Sequence, residues 1–227
     1  MKVASLEVTT DCNLACAYCP RPRSADYMEL SVFRDVLSRC RRDGFDAVAL
    51  GGGEPFLHPG IRLFTEIASA EGFSVTITTN ATLPDVIPSC SSISSLSVSV
   101  GKGEWRAVLA GATRYPFPVT ANILLLRDGM AQVKDYTADV LGLGCDRLLF
   151  LSYKGADGRL RPADEDLLRL VAFSQFLADR FGVAAGLDAY ALRRLGLVRR
   201  CREGFVRYDV RGRTHPCCFP DCEYYCT

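Results

Sequence analysis

Cys12-Asn13-Leu14-Ala15-Cys16-Ala17-Tyr18-Cys19 puts three thiols into eight residues, three residues apart and then two. Ahead of it, Val3 to Val8 alternates apolar and polar residues as a strand does. Behind it, Pro20-Arg21-Pro22-Arg23 cannot continue a helix. The cysteines are therefore expected on a loop leaving the end of a first strand, where three thiolates can converge on one point. Soft thiolates suit zinc or an iron–sulfur cluster. A structural zinc site wants a fourth Cys or His, and the only further Cys or His within residues 1–57 is Cys40, on the apolar side of a helix. An iron–sulfur cluster tolerates three protein ligands and leaves one iron open.

Outward from this loop the chain alternates strands and helices. Residues 30–43 read as a helix with Phe33, Val36, Leu37 and Cys40 on one face, Ser31 as its cap and Gly44 as its close. Phe45–Leu50 is a short apolar strand, followed by the loop Gly51-Gly52-Gly53-Glu54-Pro55. Pro59 is expected to open a second helix that ends at Gly72, with Ile61, Phe64, Ile67 and Ala68 inward. Further strands are expected at 73–79, 96–100, 119–126 and 145–151, and further helices at 104–110, 131–141 and 162–181. Six βα units with short connections imply an α/β fold, a partial (βα)6 TIM-like barrel with its site at the carboxyl ends of the strands. The cysteine loop, the glycine loop, Thr79-Asn80 and Ser99 all fall at those ends. Asn122, Tyr153, Lys154 and Asp188 are weaker candidates to face the same cavity.

Past Gly182 the character changes. Phe205–Val210, the turn Arg211-Gly212 and the return Arg213–His215 read as a hairpin, and cysteines crowd behind it. Residues 1–197 are assigned to the barrel and 198–227 to a small C-terminal cysteine-rich hairpin extension. The 227 residues are 48% hydrophobic and 23% charged with net charge +1, which argues against a nucleic acid or an anionic membrane surface as partner. No apolar run approaches the roughly 20 residues of a membrane span, and a cytoplasmic protein is expected. Eleven cysteines fall into the two groups 12–19 and 201–226 plus the single Cys40, Cys90 and Cys145. A chain this rich in apolar residues has little need of disulfides, so metal ligation explains the groups better. Cys40 and Cys145 are expected in the core, Cys90 in an exposed loop, and His58 and His215 in local turns.

Two motifs together carry a family resemblance. Cys12-x3-Cys16-x2-Cys19 with Tyr18 before the last cysteine, and Gly51-Gly52-Gly53-Glu54-Pro55 after the next strand, resemble the radical S-adenosylmethionine (radical SAM) superfamily over residues 1 to about 155. Ser97 to Ser99 and Thr79-Asn80 match its weaker features. The resemblance implies a [4Fe–4S] cluster on Cys12, Cys16 and Cys19, with S-adenosylmethionine on the open iron. One electron then cleaves the sulfonium to a 5′-deoxyadenosyl radical that takes a hydrogen atom from substrate. It also implies a one-electron reductant protein, flavodoxin- or ferredoxin-like. Under it, Gly52 and Gly53 allow close backbone approach to the co-substrate, Glu54 holds its ammonium, Ser99 its ribose, and Tyr18 packs on the adenine side.

Cys201, ten residues, Gly212, four residues, Cys217 resembles the opening of the auxiliary-cluster module called SPASM, or its shortened form, twitch. Cys222 and Cys226 would complete a second [4Fe–4S] site, with Cys218 as the alternative ligand. Five cysteines after residue 200 suffice for one such cluster. Zinc on four thiolates is the other chemistry this spacing suits. Enzymes of the SPASM and twitch group imply a peptide or protein side chain as the leading substrate, and a sugar or cofactor precursor as the other. With eleven residues ahead of Cys12, a peptide substrate is expected to need a separate recognition protein or a short direct contact. A non-enzymatic electron carrier or scaffold would use the cysteines but neither the Gly-Gly-Glu-Pro loop nor a barrel.

Overall fold

Alternating strands with one wholly apolar side can bury that side under helices and leave the other open. In the computed structural model, which describes residues 2–20, 24–201 and 204–225, this is how the chain is arranged. The strands are β1 (Val3–Thr9), β2 (Ala47–Gly52), β3 (Ser74–Thr79), β4 (Ser95–Ser99), β5 (Val119–Leu125), β6 (Arg147–Ser152), β7 (Ala184–Leu187), β8 (Phe205–Tyr208) and β9 (Thr214–His215). Among the described residues they form one sheet in the order β7-β6-β5-β4-β3-β2-β1-β8-β9. All neighbours are parallel except β8 and β9. The helices are α1 (Leu30–Arg42), α2 (Ile61–Ala70), α3 (Trp105–Ala110), α4 (Met130–Gly142), α5 (Asp164–Phe181) and α6 (Ala189–Arg194).

One face of the sheet presents Leu6, Leu50, Ile77, Leu96, Val98, Ala121 and Ile123, all fully buried in one core with the inner faces of the helices. α1 and α2 meet there through Phe33 and Phe64, stacked at 4.0 Å. Each such large side chain contributes about 1.5–3 kcal/mol by leaving water. The other face is the inner wall of the partial TIM-like barrel. In register it carries Thr76 beside Ser95, Thr78 beside Ser97, Ser97 beside Thr120, and Ser99 beside Asn122. Its hydroxyl residues are half-buried. The trough is therefore polar, lined by side chains too short to fill it.

The expected barrel is present, and its parallel series runs two strands beyond the six units anticipated, β7 at one edge and β8 beside β1. β7 and α6 escaped the sequence reading because Ala184-Ala185-Gly186-Leu187 is short and poor in β-branched residues. The hairpin also does more than extend the chain. β8 pairs in parallel with β1, Val3 against Phe205 to Leu6 against Tyr208, so the sheet continues into it. Asp209 ties the turn: its Oδ1 accepts from the amides of Arg211 and Arg213, and its Oδ2 from Arg213 Nε and His215 Nε2. Beyond β9 the segment 216–225 crosses toward the other end of the sheet. Phe219 meets the Tyr153 ring, and Glu223 accepts from Tyr190 of α6 at 2.9 Å.

Local corrections follow from capping geometry. Ser31 does not cap α1; Glu29 occupies that position, with no side-chain bond. α2 starts at Ile61 rather than Pro59, because Pro55–Leu57 forms its own 3-10 turn and His58 closes it. His58 is structural, its Nδ1 accepting from Gly60 N and its Nε2 bonded to Met28 O. Cys90 is buried rather than exposed, since the 3-10 segment Pro84–Ser89 folds it inward. Cys40 and Cys145 are core residues as expected.

Candidate functional site

Two cysteine groups and the trough between the strand ends define the site. The first group follows β1. Backbone bonds fasten the entry of its loop to the glycine loop after β2: Gly53 N donates to Thr9 O at 2.8 Å, and Glu54 N to Asp11 O at 2.8 Å. Thr9 and Thr10 hydroxyls donate to Asp26 O and Ser24 O, which returns the far side of the loop to the same strand end. Cys19 N closes a turn on Cys16 O. Cys12 and Cys19 are exposed, Cys16 is half-buried, and all three are free thiols.

The glycines serve this junction. A Cβ at Gly53 would stand 1.8 Å from Asp11 O, and one at Gly52 2.1 Å from Thr9 O. Gly52 also sits at φ 141°, a conformation L side chains rarely adopt. Their missing Cβ atoms are thus needed for contact between two backbones of the same chain, where the sequence suggested an approach to a ligand. Gly51 has nothing within 4 Å of its Cβ position.

Glu54 is fully buried. Its Oε1 accepts from Phe56 N at 3.1 Å and Thr79 Oγ1 at 2.9 Å, and its Oε2 from Asn80 N at 2.7 Å. Burial pushes this carboxyl above its ordinary range, against the opposing pull of the Asn80 and Phe56 amides, the Thr79 hydroxyl and the Lys102 charge. The side chain locks the loop after β2 to the loop after β3, so the carboxylate faces protein donors. Asn80, positioned by that lock, extends its Nδ2 to 3.7 Å from Cys12 Sγ and 3.1 Å from Asn13 Oδ1. Thr82 completes the group, donating to Asn80 Oδ1 at 2.6 Å.

Tyr18 lies over this loop, half-buried. Burial, with the Cys16 and Cys19 thiols beside it, raises its phenol pKa. Lys102 stands over its ring at 5.1 Å. The sequence reading passed over Lys102, yet a cue was there: it sits between Gly101 and Gly103, both at positive φ, directly after β4. Ser99 is half-buried on the trough wall beside buried Asn122, whose Oδ1 has no hydrogen-bond partner.

The second group converges from two segments, one before β8 and one after β9. Cys201, Cys217, Cys218 and Cys222 line one cavity of about 160 Å³, together with Lys154, Ala189, Tyr190, Phe205, Pro216 and Tyr224. Cys226 lies outside the described residues. Burial disfavours the Lys154 ammonium, but Asp188 and the Cys217, Cys218 and Cys222 thiols outweigh it, and its pKa is raised. Burial raises the Cys201 thiol, with Arg193 and Lys154 working against it. Arg207 donates from Nη1 to Cys218 Sγ at 3.2 Å. Asp188 caps α6 through Ala191 N and accepts from Ser152 N, while Tyr153 OH accepts from Asp157 N. Arg207 was missed because a charged residue inside a short strand reads as solvent-facing.

Among the described residues, no three His, Cys, Asp or Glu side chains are closed into a metal-coordinating group. The donor chemistry nevertheless fits iron–sulfur clusters at both places: soft, free thiols, three on one loop and four around one cavity. Among the described residues no helix is long and apolar enough to cross a membrane.

Comparison with known proteins bears on this geometry. Residues 6–100 match the family model of the Radical SAM superfamily. A GTP 3′,8-cyclase of Peptoclostridium acidaminophilum is 35% identical over 86 residues, covering 34% of this chain and 26% of that protein. A 7-carboxy-7-deazaguanine synthase of Aquifex aeolicus is 32% identical over 73 residues, covering 32% and 33%. This chain thus spans about a quarter to a third of these relatives. Among solved structures, Streptococcus suis SuiB bound to precursor peptide SuiA superposes with TM-score 0.75 at 15% identity, covering 95% of this chain and 59% of that one. The structure described as native anSMEcpe with bound AdoMet and Cp18Cys peptide gives 0.68 at 15%, covering 100% and 76%. At such identities these structures establish a common fold.

Proposed function

We propose that this chain, whose residues 6–100 match the Radical SAM superfamily, is a radical SAM enzyme with a second, auxiliary cluster, acting on a peptide or protein side chain. Cys12, Cys16 and Cys19 would hold the first [4Fe–4S] cluster, and Cys201, Cys217 and Cys222 the second. Its fourth ligand is Cys226, which lies outside the described residues, or Cys218, which lines the cavity. The first cluster, when loaded and reduced by a flavodoxin- or ferredoxin-like partner, supplies the electron that cleaves S-adenosylmethionine.

The chain's own residues have the remaining tasks. Glu54 holds the loops after β2 and β3 in register, so that backbone groups of the Gly51–Glu54 loop are available to the co-substrate ammonium. Ser99 offers a hydroxyl from the trough wall to its ribose, and Tyr18 covers the adenine side under Lys102. The half-buried Ser and Thr residues of the trough leave room for a polar substrate.

The single observation that carries this reading is the gathering of four cysteines, 21 sequence positions apart at their extremes, onto one cavity of the same sheet that bears the Cys12–Cys19 loop. Among the described residues a plain electron carrier has no use for that polar trough. SuiB and anSMEcpe, both determined with a peptide, support the peptide reading through the shared fold. A small-molecule substrate, a nucleotide or cofactor precursor, is the second reading. It is favoured by the cyclase and synthase named above.

The test is anaerobic reconstitution, reduction and measurement of 5′-deoxyadenosine. Cleavage is expected from the loaded protein, and its absence would sink the proposal. Replacing Cys12, Cys16 and Cys19 by Ala together should abolish cleavage while about half the iron stays bound. Zinc in place of that remaining iron would reassign the C-terminal site.

A further inference from the structure

Arg207 has no part in the function just proposed, yet its placement is unusual. It projects from β8 with its side chain 8% exposed, between the C-terminal cysteine cavity and the first strand. One end of the guanidinium donates to Cys218 Sγ at 3.2 Å. The other meets Glu7 Oε1 of β1 at 2.7 Å, with the Glu7 side chain 10% exposed. Burying an arginine costs several kcal/mol unless its charge is paired and its donors are used. Here one partner is a carboxylate and the other a sulfur. Arginine's rigid fork presents a separate nitrogen to each, whereas a lysine has a single nitrogen to offer.

Away from water the guanidinium's field on that sulfur is weakly screened. Hydrogen bonds to ligating sulfurs and net local charge are principal levers on iron–sulfur reduction potential. A cationic donor stabilises the state that carries one more electron, and so raises the potential. Glu7 acts in the opposite sense, from further away. We infer that Arg207 tunes the C-terminal centre, raising its reduction potential through Cys218, with Glu7 as the counterion that holds the fork in place. This rests on the proposed iron–sulfur occupancy of the cavity, with Cys218 as its fourth ligand. It gives the two cysteine groups different electronic settings, and it makes β1 and β8 the physical link between trough and cavity.

The experiment uses the full chain with Cys12, Cys16 and Cys19 replaced by Ala, reconstituted anaerobically so that only the C-terminal centre is loaded. Electron paramagnetic resonance at a series of poised potentials then reads the midpoint. Adding Arg207→Met is expected to change the reduced-to-oxidised ratio at fixed potential about tenfold toward oxidised, a midpoint lower by about 59 mV. Glu7→Gln is expected to move it upward. Should Arg207→Met alone fail to fold, Arg207→Met with Glu7→Leu removes both buried charges and is also expected to lower the midpoint. Iron bound with a midpoint that neither Arg207 variant moves overturns the inference alone. A protein that takes up no iron in this background overturns the occupancy of the cavity and the inference with it.

Discussion

Cys12 and Cys19 stand exposed on a loop, with Asn80 and Tyr18 beside the group, whereas Cys201, Cys217, Cys218 and Cys222 line a cavity beside Lys154 and Arg207. The first group is local: its three residues come from one loop, supported from below by a buried carboxylate and two glycines that let backbones touch. The second is non-local. Its cysteines come from before β8 and after β9, and its cations come from β8 and from the end of β6. The contrast separates two ways of building a thiol site. One relies on rigid packing beneath a short loop; the other brings charge around thiols that distant segments deliver.

The largest expected effect breaks the support of the first group. Glu54→Ala leaves Phe56 N, Thr79 Oγ1 and Asn80 N without their acceptor, and each buried unpaired donor costs about 1–3 kcal/mol. Urea denaturation should report a total loss of at least about 3 kcal/mol. A loss under about 1 kcal/mol would mean that this carboxylate does not anchor the loop.

Next comes the glycine contrast. Gly53→Ala forces its Cβ against Asp11 O and should cost about 1–3 kcal/mol. Gly51→Ala meets nothing and should stay within about 0.5 kcal/mol. Equal effects at the two positions would refute the close backbone approach as the reason for the motif.

The smallest effect concerns the second group's scaffold. Burial alone would raise the Asp209 carboxyl, but donors from Arg213, His215 and Arg211 dominate and hold it down at about 2. Its unfolded value is about 3.9, so its stabilisation is complete above about pH 4 and disappears as pH falls toward 2. Asp209→Asn should therefore lower the melting temperature at neutral pH and flatten its decline between about pH 4 and pH 2, with the two curves converging at the acid end. Curves that stay parallel through that range would acquit Asp209 of the hairpin's acid sensitivity.

Much of the architecture was legible because its cues are local. The strand alternation of 3–8 and 73–79, the apolar face Phe33-Val36-Leu37-Cys40 and the turn at Gly212 each follow from a few neighbouring residues. Ser31 misled because a capping residue was present two positions too late. β7 was hidden by four residues of weak propensity that pair because β6 offers an edge. At the site, the cysteine loop and the glycine loop were both visible, yet the duty of Glu54 was not. Its three donors lie at positions 56, 79 and 80, and nothing in the motif tells which way a carboxylate will turn.

The sequence by itself determined a parallel α/β barrel with two cysteine groups, one of them compact enough to act from a single loop. Hydrophobic period and residue spacing are short-range properties, and they survive in a linear string. Only the tertiary structure decided that Glu54 faces inward, that Lys102 reaches over Tyr18, and that Arg207 lies between Cys218 and Glu7. Those are questions of which side chain leaves water and with whom, and the partners stand 2 to 200 positions apart.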